Sequence, residues 1–533
     1  MKKRTISKMF LYRHRFGIGY TVLGVFFVAL LALLPLITPN GLSEAEMESS
    51  VISANLNHGT ILSGNIVDLP YHVFQKFSIM FLGLTTYGIK LPSIIIGGFL
   101  GILLILLLNR WFKNNVAIMA SILAILSSSF LYIAGSGTPL IMMVFWPTLL
   151  FWLGSKIQGV NKPKPFYCFI FAICLLLSIF TPYMIYLAIF IVLYAFSHPH
   201  LRFTIFHLPK IPLVLVSLII LGGGALVVMN AASGNMAIQK MLFMDNFSWA
   251  NYFSNIKEAF EPFFKWSGMV ESTFLAPLVG LATLALAVTG LISTYHGFFA
   301  SRNSIATYLI LFTVVISGFC PTCAILLILP LAILIAHGFK YILNKWYGLF
   351  PENPYARVFG ILPIAIFLGI MIVSDVTHFI FGYRYNPAVA NAFSNDLTLI
   401  RKYTTDDSVL VVTDKKEYEF YKILEDKVIF GSNKKVKVLD AVPEKPIEKM
   451  MTLGRIEENL DEGEKSVLSD YNLDKIVTNS KSQNSDRLYF YTMKEGAIEA
   501  FEAREERLRQ ELLEQEQHIE ETIIEEPPVE QLN

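Results

Sequence analysis

Through the first 375 residues of this chain, unbroken apolar runs of roughly 16–22 residues recur between short polar joints. A helix needs about 20 apolar residues to cross the hydrocarbon core of a bilayer. Only helices and closed barrels satisfy their backbone polar groups there, and runs that do not alternate select helices. Eleven spans are predicted, at about 17–37, 90–108, 115–133, 139–155, 166–180, 183–197, 211–229, 275–294, 303–318, 322–338 and 358–375. Charged residues make up 16% of the chain, against about 25% in an ordinary soluble domain, and the deficit falls in this part. A net charge of +1 with no basic patch gives no footing for nucleic acid. The opening MKKRTISKMFLYRHRF is basic. The run after it is too long for a secretory signal and lacks a small-x-small cleavage site, so it reads as a retained anchor.

Lysine and arginine in short joints set orientation. One side holds the N-terminus, NRWFKNN, KIQGVNKPKPF, HPHLRFTIFHLPK, YHGFFASRNS and KYILNKWYGLFPENPYAR, each with basic residues. The other holds residues 38–89, GSGTP, TPY, 230–274 and CPT, where the tight turns carry no charge and the two long loops are net acidic. The basic side is therefore expected in the cytoplasm, and an odd number of spans then puts everything after residue 376 outside. The long outer loops run to about 50 and 45 residues, and loops of that length in a compact fold are usually functional. The second is rich in Phe, Trp and Met with scattered charge, which suits helices lying in the interface plane.

Three domains are expected: a transmembrane domain over 1–375, a small extracytoplasmic α/β domain over 376–496, and a charged helix with a disordered acidic tail over 497–533. In the middle domain, SVLVVTD, KVIFG, KVKVLD, DKIVTNS and RLYFYTM read as strands, and KKEYEFYKILED as a helix. Cys320 and Cys323 form C-P-T-C at a hairpin tip, but the βαβ context of a redox motif is missing, so an adventitious pair in a turn is the simpler reading.

The chemistry-bearing groups gather in the first outer loop and the helix after it, from GLSEAEMESS through DLPYHVFQKFSIMFLGLTTYGIKLPS. These pieces, followed by the span ending NRWF and by NNVAIMASILAILSSSFLYIAGSGTPLIMMVFW, occur in an order that resembles the family 39 glycosyltransferases. That group includes the protein O-mannosyltransferases and the aminoarabinose lipid A transferase. The resemblance covers about residues 17–375 and implies a GT-C fold with about eleven transmembrane helices. It also implies an enzyme of the cell membrane that takes a sugar from a polyprenyl-phosphate donor at the outer face, among membrane lipids, for an acceptor that is a glycan, lipid or protein. Where the family carries an Asp-Glu pair this chain has Ala45-Glu46, with Glu44 one residue earlier; the family's acidic residue after the third span is replaced by the Gly135–Pro139 turn. Asp68 stands where the family often has a basic residue before the prolines of the first loop.

Sugar transfer from a lipid phosphate needs a base for the acceptor hydroxyl and positive charge or a metal at the leaving phosphate. A carboxylate partly desolvated at an interface suits the first role. Glu44 and Glu46 are the catalytic candidates, and Asp68 and His72 the substrate-binding ones, with Asp68 also a possible base. A structural alternative stands beside each. Ser43-x-x-Glu46 is a capping box. Glu44 and Glu48, four apart, are like charges on a solvated face. His72 beside Tyr71 fits among lipid headgroups. His58, His72 and Asp68 offer donors for a divalent cation, though without a tight spacing. For the phosphate, Lys76, Lys90, Lys240, Lys257, Lys265 and Arg384 lie on the outer side, with Lys240 and Lys265 favoured because lysines at span ends usually snorkel. No ionisable residue is expected at a span centre, which argues against an ion-coupled transporter. A relative of this fold that binds a lipid-linked glycan without turnover is the other reading.

Overall fold

The computed structural model describes residues 10–37, 41–62, 66–157, 165–207, 210–232, 238–239, 242, 248–263, 279–295, 300–349, 354–386, 392–404, 409–426, 436–442, 447–453, 468, 470–478, 487–499, 502–503, 506 and 510. The chain divides into two units, Met1–Ser394 and Asn395–Asn533.

The first unit is helical. It runs α1 (Phe10–Ile37), a two-residue strand β1 (Leu42–Ser43), α2 (Glu44–Asn55), α3 (His58–Leu62), α4 (Leu69–Leu82), α5 (Thr86–Trp111), α6 (Asn114–Ile125), α7 (Ser128–Gly135) and α8 (Leu140–Ile157). It continues with α9 (Pro165–Ile179), α10 (Met184–Ser197), α11 (Pro199–Phe206), α12 (Lys210–Ala232), α13 (Trp249–Phe260), α14 (Leu281–Tyr295) and α15 (Ser301–Ser317). A 3₁₀ turn (Pro321–Leu327), α16 (Ile328–Leu349), α17 (Pro354–Tyr385) and the strand β2 (Phe393–Ser394) complete it.

Among the described residues four helical stretches are long and apolar enough to cross a bilayer: Thr86–Trp111, Leu140–Ile157, Pro321–Leu349 and Ile361–Tyr385. Two bent pairs qualify together, α6 with α7 at 62° and α10 with α11 at 93°. The other expected spans fall on shorter apolar helices, including Phe166–Ile179, Leu281–Tyr295 and Ser301–Ser317. The α6–α7 bend has a local cause: Leu126 caps the end of one helix and Ser127 the start of the next, its hydroxyl accepting from the Phe130 N–H at 3.4 Å.

The span from Pro321 is 94% buried and Ile361–Tyr385 only 17%, so the first runs through the core of the bundle and the second presents Leu362, Ile366 and Val373 outward. In lipid, packing replaces the hydrophobic effect, and small residues let helices approach. α14 and α16 cross where Gly290 meets the Leu334 carbonyl and Gly338 meets the Leu286 carbonyl; a Cβ at either glycine would collide with backbone.

The spans are not free of ionisable groups, contrary to expectation. Asp375 and His337 lie mid-helix and are 1% and 3% exposed. The predicted spans stop at or just past these residues, at 375 and 338, whereas the helices run on to Tyr385 and Leu349. Asp375 is held by the Thr283 hydroxyl at 2.9 Å.

In the second long loop, α13 follows the interfacial pattern. Tyr252 and Asn255 bond to the carbonyls of Val315 and Gly318, while Trp249 and Phe253 face outward, 66% and 64% exposed.

The second unit contains α18 (Asp396–Tyr403), β3 (Val409–Val411), α19 (Lys415–Asp426), β4 (Lys437–Leu439), β5 (Lys449–Leu453), β6 (Tyr471–Thr478) and β7 (Arg487–Met493). Its sheet has the order β4-β3-β5-β7-β6. β3 is parallel to β4 and β5, whereas β7 is antiparallel to β5 and β6. The expected strands SVLVVTD, KVKVLD, DKIVTNS and RLYFYTM appear as β3, β4, β6 and β7 with shifted ends, KVIFG lies outside the described residues, and β5 is a strand the sequence pattern does not reveal. The division between Ser394 and Asn395 falls later than residue 375 because α17 and β2 belong to the first unit.

Gly338→Leu is expected to lower the unfolding temperature in detergent, since overpacking a close crossing costs about 1–3 kcal/mol or more. Gly348→Leu, on the same helix where a Cβ meets open space, is expected to leave it unchanged.

Candidate functional site

The site is assembled on α2, α4, the start of α5 and the turn after α7. Pro70 in the first turn of α4 starts the helix where an N–H would be orphaned anyway. Asp68, Tyr71, His72 and Gln75 then fall at i, i+3, i+4 and i+7, one face of that helix. α2 presents buried Ser49 and Ser53 to it, while buried Ser50 donates to the Glu46 carbonyl of its own helix.

Glu46 is fully buried, and both its oxygens are engaged. Oε2 accepts the Ser43 N–H at 2.8 Å while Ser43 Oγ accepts the Glu46 N–H at 3.3 Å, the capping box the sequence predicts. Oε1 accepts the Gly137 N–H at 2.6 Å and faces Lys90 Nζ at 3.5 Å. Lys90 does not snorkel: it is 0% exposed, 5.9 Å from the Phe393 ring. Gly137 is required where it sits, because a Cβ would press on Ile89. β1 pairs antiparallel with β2, Leu42 with Ser394 and Ser43 with Phe393, so the capping residue is itself held in a ladder.

Gln75 ties three segments together. Its Nε2 donates to the carbonyls of Ile89 (3.1 Å) and Gly137 (2.8 Å), and its Oε1 accepts from Ser49 (2.9 Å) and Ser53 (2.6 Å). His72 is 4% exposed, with Nδ1 at 2.8 Å from Ser53 Oγ. It therefore sits inside the protein and not among headgroups, because the serine face of α2 covers it. Burial pulls its pKa down to about 4, so it is neutral near pH 7. Tyr71 is buried against Ser93, hydroxyl to hydroxyl at 2.8 Å, in the field of both Glu46 and Asp68.

Asp68 differs from the rest. It is the N-cap position of α4 but makes no cap bond, and it holds a left-handed conformation, φ 50°, that a non-glycine residue rarely adopts. Its N–H donates to the Phe180 carbonyl at 2.8 Å, which locks it to the turn before α10. The Thr181 hydroxyl, which accepts from Trp146 Nε1 at 3.1 Å, lies within hydrogen-bonding reach of the carboxyl. Asp68 Oδ1 is buried without a partner. Desolvation pushes its pKa from 3.8 up to about 8.

Glu44 and Glu48 are exposed on α2. Lys76 donates to the Leu56 carbonyl at the end of α2, Lys257 is exposed on α13, and Arg384 lies 5.8 Å from the Tyr385 ring. Lys240, Lys265 and the His58 side chain lie outside the described residues. Among the described residues no group of three His, Cys, Asp or Glu side chains is placed to hold a metal. Of the three donors the sequence offers a cation, His72 is turned to Ser53, Asp68 is bounded by Thr181, and the His58 side chain lies outside the described residues. Sequence reasoning missed Gln75, the serine face of α2, Thr181 and Trp146. A polar stripe at helical spacing on α4 was the available signal.

No protein-family model matches the sequence, and no curated protein matches it. Solved structures do. The chain is similar to the archaeal oligosaccharyltransferase AglB from Archaeoglobus fulgidus in complex with an inhibitory peptide and a dolichol-phosphate, with TM-score 0.50 and 12% identity over 91% of this chain and 75% of that one. It is similar to an apo form of the A. fulgidus oligosaccharyltransferase at TM-score 0.50 and 12% identity, over 81% of this chain and 65% of that one. ArnT from Cupriavidus metallidurans bound to undecaprenyl phosphate aligns at TM-score 0.46 and 12% identity, over 89% and 98%. The fold of the chain is the GT-C glycosyltransferase fold.

Two outcomes test the geometry. Lys90→Met leaves Glu46 as a buried unpaired charge and is expected to destabilise the protein by about 3–5 kcal/mol, read as a large fall in unfolding temperature. Between about pH 4 and pH 8 folded Asp68 keeps a proton that the unfolded chain releases, so its contribution to stability is present at low pH and is lost as pH rises through that window. Unfolding temperatures of Asp68→Asn and the parent, compared across it, should show the variant gaining on the parent as pH rises.

Proposed function

We propose that this chain is a membrane glycosyltransferase that takes a sugar from a polyprenyl-phosphate donor at the outer face of the bilayer, with Asp68 as the base. The observation that carries the reading is the state of Asp68: buried, with one oxygen unpartnered and a pKa near 8. A general base works best with a pKa near the operating pH. Glu46 is less suited, because its oxygens already hold Ser43, Gly137 and Lys90. It serves as the positioning residue that fixes α2 against α5. Glu44, exposed on the first turn of α2, is the alternative base for an acceptor arriving from solvent.

In this mechanism Asp68 takes the proton from an acceptor hydroxyl, the oxygen attacks the anomeric carbon, and the lipid phosphate leaves with the bonding pair. His72, neutral, holds its place through Ser53. Lys240 and Lys265 of the second outer loop remain the proposed cations for the departing phosphate. The AglB structure with dolichol-phosphate supports a lipid-linked donor for this fold. The fold, rather than an absence of buried charge, is what argues against an ion-coupled transporter.

A second reading has its own observation: Ala45 stands where the resembled family has an acid, and Glu46 is sealed in an ion pair. The chain would then bind a lipid-linked glycan without turnover.

Purified protein assayed against a panel of polyprenyl-phosphate sugars separates the two. Turnover is expected, with a rate that rises as pH approaches 8, and a loss of about 10²–10⁴-fold in Asp68→Asn. Undiminished transfer by that variant would remove Asp68 from the chemistry. Donor binding without turnover in the parent would favour the second reading.

A further inference from the structure

At the end of the first unit that carries the basic joints there is a cavity of about 470 Å³, within the range of small-molecule sites, which is about 300–1,000 Å³. Trp111 at the end of α5, Phe151 and Gly154 on α8, Ala195 on α10, Leu221 on α12 and Ile305 on α15 line it, and its walls are almost wholly apolar. Trp111 lies 21 residues along α5 from Lys90, about 30 Å at the rise of a helix, so the cavity is a bilayer's thickness from the Glu46 cluster.

Cations collect beside it. Arg302 follows the wall residue Ser301, donates from one guanidinium nitrogen to the Trp111 carbonyl at 2.7 Å and stacks 5.7 Å from the Phe112 ring. Its Nε is buried without a partner. Lys340 on α16 lies in the fields of Arg302 and of Lys113. None of the three is paired with a carboxylate among the described residues, where the ion pair found is the distant Lys90–Glu46. Like charges gathered without a counter-ion repel, and an anion supplied from outside would relieve that repulsion. Basic pockets between transmembrane helices on the cytoplasmic side take anionic headgroups.

We infer that the cavity and its cations form a binding site for an anionic phospholipid of the inner leaflet, with an acyl chain between α8, α10 and α12 and the phosphate on Lys113, Arg302 and Lys340. A free phosphate would leave the apolar space unfilled, and a zwitterionic lipid would leave the cations uncompensated. Occupancy would join α5, α15 and α16 to the outer wall of the bundle.

The test uses the full chain in vesicles and reads Trp111 quenching by lipids with brominated chains, taken as the difference between parent and Trp111→Phe. Brominated phosphatidylglycerol is expected to quench with a preference of about tenfold or more over brominated phosphatidylcholine. Lys113→Gln with Lys340→Gln should erase most of that preference. Gly154→Phe, whose side chain enters open space, should block quenching with the cations intact. Equal quenching by both lipids in the parent overturns the inference. So does displacement of phosphatidylglycerol by polyprenyl phosphate, which would give the cavity to a donor tail. None of these readouts depends on turnover, so they stand or fall apart from the proposed reaction.

Discussion

A lysine and a glutamate with no access to water organise one end of this bundle. Each would cost several kcal/mol to bury singly, so both stay only while every neighbouring donor and acceptor is in place. Glu46 meets that condition through Ser43, Gly137 and Lys90, which come from a loop strand, an interhelical turn and a span. One carboxylate thus fixes where α2 lies, how the turn after α7 closes, and which way the first turn of α5 faces. Gln75 repeats the arrangement one layer away, bridging α2, α5 and the same turn.

That rigidity is what makes Asp68 informative. In a loosely packed loop a left-handed aspartate would relax, or water would reach its free oxygen. Here the Phe180 carbonyl holds its backbone, the Thr181–Trp146 pair bounds its side chain, and α4 begins immediately after it. Strain and an unsatisfied buried oxygen are tolerated because the surrounding polar network overdetermines the position. The two carboxyls therefore differ in kind: both oxygens of Glu46 are engaged in the frame, whereas one oxygen of Asp68 is left without a partner.

Much of the fold could be read from the chain directly. Apolar runs located the helices, because the energetic demand for about 20 uncharged residues leaves a mark that nothing else in a sequence imitates. The capping box at Ser43 and Glu46 and the proline-led start of α4 were legible because both are set by residues within four positions of each other. Helix ends were less legible. Asp375 and His337 look like boundaries to a hydropathy reading, yet continue as helix because Thr283 and a tight core accommodate them. β5, KMMTL, has no alternating pattern and becomes a strand because β3 and β7 flank it.

What the sequence determined by itself is the membrane architecture and the short stretch where polar groups gather, since both depend on composition and local spacing. What only the tertiary structure decided is which of those groups are occupied. Lys90 looks like any lysine at a span end, and it becomes an ion-pair partner because a turn 47 residues later brings Gly137 over Glu46. Glu46 and Asp68 look alike as carboxylates beside a membrane. What each touches comes from segments up to 113 residues away in the chain, Thr181 beside Asp68 among them, and no local pattern encodes a partner at that distance.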